Sequence, residues 1–158
     1  MAKAKKTSDF ISTGLIAQNR RAHFDYLIEE KFVAGLELLG TEVKSLRQGH
    51  ANINDAFGVE HNGEIFMSNM FIAEYANKGY ASHAEKRERK LLLKKKEIID
   101  IMNALTRKGA TLVALRLFFD THGRAKLEVG LGRGKKIYDK RETIKNRELD
   151  RKIRLKDF

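Results

Sequence analysis

Residues 113–131 constrain the fold of this chain more than any other part of the sequence. Apolar residues occupy every second position on both sides of the polar turn at 120–124. The alternating apolar positions are Val113, Leu115, Leu117 and Phe119 before the turn, and Ala125, Leu127, Val129 and Leu131 after it. A period of two places such side chains on one face of a β-hairpin. The pattern therefore predicts an antiparallel sheet with one buried face and one solvated face.

Other local signals extend this hairpin to a mainly β fold with helices. Asn62-Gly63 separates two short apolar segments, and Asn-Gly favours a two-residue hairpin turn with positive φ. Residues 25–39 are rich in strand-forming side chains, and residues 42–47 have the spacing of one or two helical turns. Residues 84–108 are predicted to form one helix ending at Gly109, or two helices interrupted at 94–96. Short strands with a central helical insertion predict a small closed or partly open barrel.

The charge of the chain points to a polyanionic partner. A net charge of +11 and a pI near 9.9 are typical of proteins that bind nucleic acid or an anionic membrane surface. The membrane is the weaker alternative, because no apolar run approaches the ~20 residues of a spanning helix. The sequence has no cysteine, which excludes disulfides, thiolate zinc sites and a cysteine nucleophile and fits a reducing cytoplasm.

The composition divides the chain into three parts. We predict a disordered basic arm over 1–9, a globular barrel over 10–132 and a basic tail over 133–158. The tail holds eleven Lys or Arg and five acids, with too few apolar residues to order itself alone. Glu148 and Asp150 each precede a cation by four residues, an order that favours a helix once a partner is bound. The tail is thus predicted to be disordered when free and helical on RNA.

A second basic segment, 86–96, carries seven basic side chains and one acid. One interpretation of this segment is a solvated helix face with Leu91, Leu92 and Leu93 turned inward. However, so many like charges in eleven residues repel one another and destabilise the folded chain. We therefore favour contact with RNA. The segment 18–24, QNRRAHF, offers amide and guanidinium groups suited to bases and phosphates, and a plain solvated loop is an equal alternative.

No catalytic, cofactor or metal site is predicted. The glycines at 130, 132 and 134 lack the spacing of a phosphate-binding or dinucleotide-binding loop. We expect instead that their backbone freedom releases the chain from the sheet at this point. The five histidines show no metal-ligand spacing, and the carboxylates show no catalytic pairing.

Several motifs together resemble the SsrA-binding protein (small protein B) family. They span most of the chain, and the segments at 42–47 and 134–141 are specific in combination. The matching segments are IAQNRRA at 16–22, AG at 34–35, GTEVKSLR at 40–47, ANI at 51–53, RKLLL at 89–93, KGxTLV at 108–113 and GKKxxDKR at 134–141, with Lys145 and Arg147 behind.

The resemblance implies an oligonucleotide-binding (OB-like) barrel that binds the tRNA-like part of transfer-messenger RNA. It also implies escort to stalled ribosomes in a complex with elongation factor Tu, with the tail as a helix in the empty decoding site and messenger channel. The expected RNA-binding residues are Asn19, Arg21, Lys44, Arg47, Arg89, Lys90 and Lys94. The expected decoding-site residues are Gly134, Lys135, Lys136, Tyr138, Asp139, Lys140, Arg141, Lys145 and Arg147.

Two positions depart from the family pattern. Val33 stands where the family commonly has Glu, so a polar RNA contact from this position would be lost or relocated. Tyr138 stands where some members have His, and either ring can stack on a base.

Two other functions stay open. One is a barrel that coats single-stranded nucleic acid, which would need exposed aromatic side chains. The other is a nuclease or RNA-modifying enzyme, for which the sequence offers no catalytic pattern.

Overall fold

A computed structural model of the chain describes residues 13–75, 83–107, 109–134, 144–149 and 151. The predicted arm at 1–9 and most of the predicted decoding-site residues lie outside these ranges. The elements are β1 (Gly14–Gln18), α1 (Ala22–Asp25), β2 (Tyr26–Leu36), α2 (Gly40–Arg47), β3 (Ala51–Asn52), β4 (Phe57–His61), β5 (Glu64–Ser68), β6 (Phe71–Ile72), β7 (Arg89–Leu92), α3 (Lys95–Arg107), β8 (Thr111–Phe119) and β9 (Ala125–Gly134). Within the described ranges, no helix is long and apolar enough to span a membrane.

Seven strands form one antiparallel sheet in the order β1-β8-β4-β5-β7-β2-β9, and β9 also pairs with β8. This last pairing closes the sheet into a barrel, with β1 and β4 on the same edge of β8. Strands β3 and β6 form a separate two-stranded sheet. The barrel encloses one main apolar core, to which α3 contributes Ile101 and Ala104. The predicted mainly β barrel with helices is confirmed.

Both predicted hairpins are present. Asn62 and Gly63 have φ values of 53° and 80°, which is the turn geometry that Asn-Gly favours. The turn joins β4 to β5 and pairs His61 with Glu64. Gly109 has a φ of 61° shortly after α3 ends, as expected of a glycine that follows a helix.

Strand β8 departs from the predicted alternation. Its pairing with β9 shifts between Ala114 and Arg116, which makes Leu115 the extra residue of a β-bulge. An extra residue resets the period of two. As a result Val113 and Leu115 pack in a small second cluster with Ala22, while Leu117 and Phe119 beyond the bulge face the main core. The single apolar face predicted for the whole of 113–119 is therefore wrong.

The helix predicted over 84–108 is wrong in its first half. Residues Arg89–Leu92 form β7, which pairs with β5 and β2, and α3 begins only at Lys95. Leu91 is fully buried while Leu92 is 52% exposed, so the leucines do not all point inward. Three consecutive leucines are compatible with either structure, and the hydrogen bonds of the neighbouring strands decide for a strand.

The glycines near the end of β9 do not release the chain from the sheet. Gly130 and Gly132 both pair with β2, and the strand continues to Gly134, two residues beyond the predicted end of the barrel at 132. A Cβ at Gly130 would lie 2.9 Å from Ile28 Cγ2. The glycines therefore make room for side chains of β2, and the expectation that they release the chain is wrong.

Candidate nucleic-acid interface

The connection between β1 and α1 presents two exposed cations, Arg20 and Arg21. The preceding residue, Asn19, is only 7% exposed. Its side-chain amide donates to the carbonyl oxygen of Ala114 at 3.0 Å and to that of Asn54 at 3.4 Å. Because the amide nitrogen donates both hydrogen bonds to backbone carbonyl oxygens, Asn19 holds the β1–α1 connection in a fixed position. The two arginines that follow Asn19 are exposed to solvent.

Among the described residues, Arg21 has only weak partners. Its Nε lies 3.8 Å from a carboxylate oxygen of Asp25, and its guanidinium carbon lies 5.6 Å from the ring centroid of Phe24. Both contacts are at the surface, where an ion pair contributes at most about 1 kcal/mol. The guanidinium therefore remains available to a phosphate or a base.

Arg116 is a further exposed cation that the sequence prediction missed. It lies just after the bulge of β8, pairs with Glu128 at 3.1 Å and stacks 4.9 Å from the ring centroid of Phe118. Together with Asn19 and Arg20 it lines a cavity of about 360 Å³. Its one sequence signal is a single cation inside an otherwise apolar strand.

Helix α2 presents two further cations, Lys44 and Arg47, both of which are exposed. The Nζ of Lys44 lies 5.5 Å from the ring centroid of Tyr75, which follows β6 in the chain. The Ser45 hydroxyl between them donates to the carbonyl oxygen of Ala73 at 2.6 Å. The helix thus lies against the segment 71–75 and places its cations beside an aromatic ring.

The orientation of α2 depends on Glu42, whose side chain is fully buried. One carboxylate oxygen accepts a hydrogen bond from the Leu39 backbone N–H at 2.8 Å and another from Arg87 at 2.6 Å. The other oxygen lies 2.5 Å from both Nε and Nη2 of Arg89. This carboxylate connects the first turn of α2 to Arg87, just before β7, and to Arg89, the first residue of β7, which lie 45 and 47 residues further along the chain.

Arg89 is also fully buried, contrary to the expectation for an RNA-binding residue. Besides Glu42, its guanidinium donates to the carbonyl oxygen of Met70 and to those of Ala84 and Glu85, at 3.3 Å and 3.2 Å. A guanidinium that is buried and paired on every side cannot reach a phosphate. The prediction of a direct RNA contact at Arg89 is wrong, and the residue has a structural role instead.

Opposing effects set the pKa values of this buried pair. Burial raises the pKa of Glu42, but the hydrogen bonds from Arg87 and Leu39 and the charge of Arg89 outweigh it, and the net pKa is lowered. Burial lowers the pKa of Arg89 while Glu42 raises it. The guanidinium stays protonated, since arginine does not lose its proton in proteins. Both groups are therefore charged at neutral pH.

The remaining predicted RNA-binding residues lie at the surface. Lys90 is half-buried, with its Nζ 3.8 Å from Glu64, so it is weakly paired. Lys94 is exposed just before α3. Val33, at the position where a polar contact was expected to be lost, is 53% exposed on β2.

Comparison with known proteins identifies the family. The family model described as SmpB protein matches residues 16–156. The chain belongs to the SmpB protein family. It is 45% identical to the SsrA-binding protein of Sinorhizobium fredii over 148 residues, which are 94% of this chain and 93% of that protein. It is 50% identical to the SsrA-binding protein of Wolbachia pipientis subsp. Culex pipiens over 137 residues, which are 87% of this chain and 92% of that protein.

A solved structure supports the same assignment. A chain of the structure described as "tmRNA-SmpB: a journey to the center of the bacterial ribosome" is similar with a TM-score of 0.65 and 42% identity. The similarity covers 80% of this chain and 86% of that chain. The resemblance read from the motifs is thus confirmed, and the barrel is the OB-like fold of the SmpB family.

Part of the tail of this SmpB-family chain is described. Residues 144–149 are helical, the conformation predicted for the tail on its partner. All six residues are exposed, including the apolar Ile144 and Leu149 and the predicted decoding-site residues Lys145 and Arg147. The guanidinium carbon of Arg147 lies 5.9 Å from the ring centroid of Phe24 in α1. The other predicted tail residues, apart from Gly134 at the end of β9, lie outside the described ranges: Lys135, Lys136, Tyr138, Asp139, Lys140 and Arg141.

Acidic residues collect elsewhere on the SmpB-family barrel. Glu29, Glu30 and Asp100 line a cavity of about 400 Å³ between β2, α3 and β9. Neither Arg20 and Arg21 before α1 nor the cations of α2 contribute to that lining, so a polyanion would avoid this cavity. In the part of the chain that the structure describes, no group of three or more His, Asp or Glu side chains could hold a metal ion.

Proposed function

We propose that this chain is an RNA-binding adaptor without chemistry of its own, acting in the cytoplasm. It binds the tRNA-like part of transfer-messenger RNA and brings it to stalled ribosomes for trans-translation, in a complex with elongation factor Tu. Its tail occupies the empty decoding site and messenger channel. Membership of the SmpB family and the likeness to relatives named SsrA-binding protein support this proposal.

One structural observation carries the proposal. Two pairs of exposed cations, Arg20 with Arg21 and Lys44 with Arg47, each follow a buried polar residue that fixes the local backbone. Phosphate contacts set the position of a protein on RNA, and a fixed local backbone keeps the cations at defined spacings for such contacts. A surface that merely kept the protein in solution would not require such buried supports.

The proposed contacts follow from exposure. Arg21, Lys44, Arg47, Lys90 and Lys94 reach the surface and contact the RNA. Asn19 acts through the position of the loop that it holds. In the tail, the proposed decoding-site residues are Gly134, Lys135, Lys136, Tyr138, Asp139, Lys140, Arg141, Lys145 and Arg147.

Competition binding tests the RNA specificity. We expect the full-length chain to prefer the tRNA-like part of transfer-messenger RNA over an unstructured RNA of equal length at the same salt concentration. A preference for the unstructured RNA would contradict the proposal and would favour a protein that coats single strands. Incubation of either RNA with the chain and Mg²⁺ is the accompanying control, and RNA cleavage would point to a nuclease.

Truncation after Gly134 tests the division of labour between barrel and tail. This end point keeps β9 complete, whereas truncation at 132 would remove two of its residues. The truncated chain should unfold at the temperature of the full-length chain and bind the tRNA-like RNA with similar affinity, while tagging of stalled translation products is lost. Loss of RNA affinity in a folded truncated chain would instead make the tail the main RNA-binding segment.

A further inference from the structure

A cavity of about 300 Å³ lies beside the small β3–β6 sheet, and none of the individually predicted RNA-binding residues lines it. It is lined by Asn52, Asp55, Asn69, Phe71 and Lys86. The lining combines two amides, one carboxylate, one aromatic ring and one cation. These are the groups with which proteins bind an unstacked nucleotide: hydrogen bonds to the base edge, a ring for stacking and a cation for phosphate.

Within the described part of the chain, each of the two side-chain amides uses only one of its two polar atoms in a hydrogen bond. The side-chain oxygen of Asn52 accepts a hydrogen bond from the Asn54 backbone N–H at 2.9 Å. The side-chain nitrogen of Asn69 donates to the backbone carbonyl oxygen of Asp55 at 3.3 Å. Among the described residues, the Asn52 side-chain nitrogen and the Asn69 side-chain oxygen have no partner. One donor and one acceptor are thus left at the cavity, the combination that a base edge requires.

Lys86 differs from the neighbouring cations in its surroundings. Arg87 and Arg89 are paired with Glu42, and Lys90 lies near Glu64. Lys86 is exposed and forms no ion pair with any residue in the described ranges. An unpaired ammonium at the edge of a polar cavity is suited to a phosphate group.

A short segment of the chain connects the cavity to the proposed RNA surface. The segment 71–75 begins with Phe71 in the cavity and ends with Tyr75 beneath Lys44. It is held by the hydrogen bond from Ser45 in α2 and by another from the Ala73 backbone N–H to the carbonyl oxygen of His50, just after α2, at 3.1 Å. An RNA strand that contacts Lys44 can therefore place a neighbouring nucleotide at the cavity.

We propose that this cavity binds one unstacked nucleotide of the RNA, with its base against Phe71 and its phosphate at Lys86. The inference rests on the proposed function. Asn52 and Asn69 contact the base edge, and the carboxylate of Asp55 accepts from an exocyclic amino group. Because uracil, unlike the other three bases, has no exocyclic amino group to donate to Asp55, we expect the cavity to bind uracil less well.

Three substitutions in the full-length chain test the cavity through affinity for the tRNA-like RNA over a series of salt concentrations. Lys86→Gln should reduce the salt dependence of binding by about one ion. Phe71→Leu should weaken binding about tenfold through lost stacking. Asn69→Gly should weaken binding without changing the salt dependence. Lys31→Gln removes the same charge from an exposed position of β2 outside the cavity and should leave the salt dependence unchanged.

Asn69→Gly also tests the site with a substitution that should not disturb folding. Asn69 has a φ of 58°, a conformation that glycine adopts at no steric cost. The substitution therefore removes the amide, with its exposed 3.3 Å hydrogen bond to Asp55, without straining the backbone, even if Phe71→Leu disturbs β6. If a folded Asn69→Gly chain and a folded Lys86→Gln chain both bind RNA as the wild type does, the proposed nucleotide site is refuted.

Titration with mononucleotides, followed by NMR of the full-length chain, tests the ligand class directly. AMP or CMP should shift the backbone amide resonances of Asn69 and Phe71 more than UMP or inorganic phosphate does. Equal shifts with inorganic phosphate alone, or no shift with any nucleotide at millimolar concentration, would overturn the assignment. If the wild-type chain does not prefer tRNA-like RNA, the proposed function is refuted. If it does prefer this RNA but the cavity substitutions do not change RNA binding, only the proposed nucleotide site is refuted.

Discussion

The buried pair of Glu42 and Arg89 should be essential for stability, and Glu42→Gln isolates its contribution. Glutamine keeps the shape of the side chain and can still accept the hydrogen bond from Leu39, but it leaves Arg89 charged and buried without a counterion. Removing one partner of a buried pair costs about 3–5 kcal/mol. Because Arg87 is partly exposed and can turn to solvent, we expect the lower end, about 3 kcal/mol in the free energy of unfolding.

Urea denaturation measures this loss. With an m value of about 2 kcal/mol/M, the midpoint should fall by about 1.5 M. Glu64→Gln is the matched control, because Glu64 and Lys90 lie 3.8 Å apart with both side chains partly exposed. That pair should contribute less than about 1 kcal/mol. If Glu42→Gln costs no more than Glu64→Gln, the structural role assigned to the buried pair is refuted.

A double-mutant cycle and a pH series add two independent checks. Glu42→Gln combined with Arg89→Met removes both buried charges and should lower the free energy of unfolding by less than the two single substitutions together.

The lowered pKa of Glu42 adds stability at pH values above the ordinary glutamate pKa, about 4.3. This stability is lost as the pH falls below that value toward the lowered pKa. The Glu42→Gln chain should lack this part of the acid dependence, and an unchanged acid dependence would count against the pair.

Three further substitutions probe the interface and the sheet. Asn19→Ala should destabilise the chain by about 1–3 kcal/mol in urea denaturation, because two backbone carbonyl oxygens lose their donor, and it should also weaken RNA binding. Gly130→Ala should lower the melting temperature, since its Cβ would lie 2.9 Å from Ile28, whereas Gly134→Ala meets nothing within 4 Å and should not. Lys90→Ala should reduce the salt dependence of RNA binding by about one ion, and an unchanged dependence would place this side chain off the RNA.

Local signals explain which elements the sequence predicts well. The Asn62-Gly63 hairpin is correctly predicted because its turn geometry depends on those two residues alone. Strand β7 is missed because it depends on pairing with β2 and β5, which lie far from it in the sequence. The bulge at Leu115 is missed because an uninterrupted apolar alternation does not show where the register of a hairpin shifts. The same limit applies to the interface. Glu42 and Arg89 are 47 residues apart, so no local pattern shows that each is the other's partner.

Arg89 and Lys90 show why a motif of cations is not a set of RNA contacts. The two residues are adjacent in a segment that matches the family pattern, and by charge alone both are equally suited to phosphate. Once the segment is a strand, successive side chains must point to opposite faces. Arg89 then lies inside, where it holds α2 through Glu42, and Lys90 lies outside. Loss of Arg89 should therefore lower the free energy of unfolding and weaken RNA binding by displacing Lys44 and Arg47, whereas loss of an exposed phosphate contact such as Lys90 should weaken binding without lowering stability.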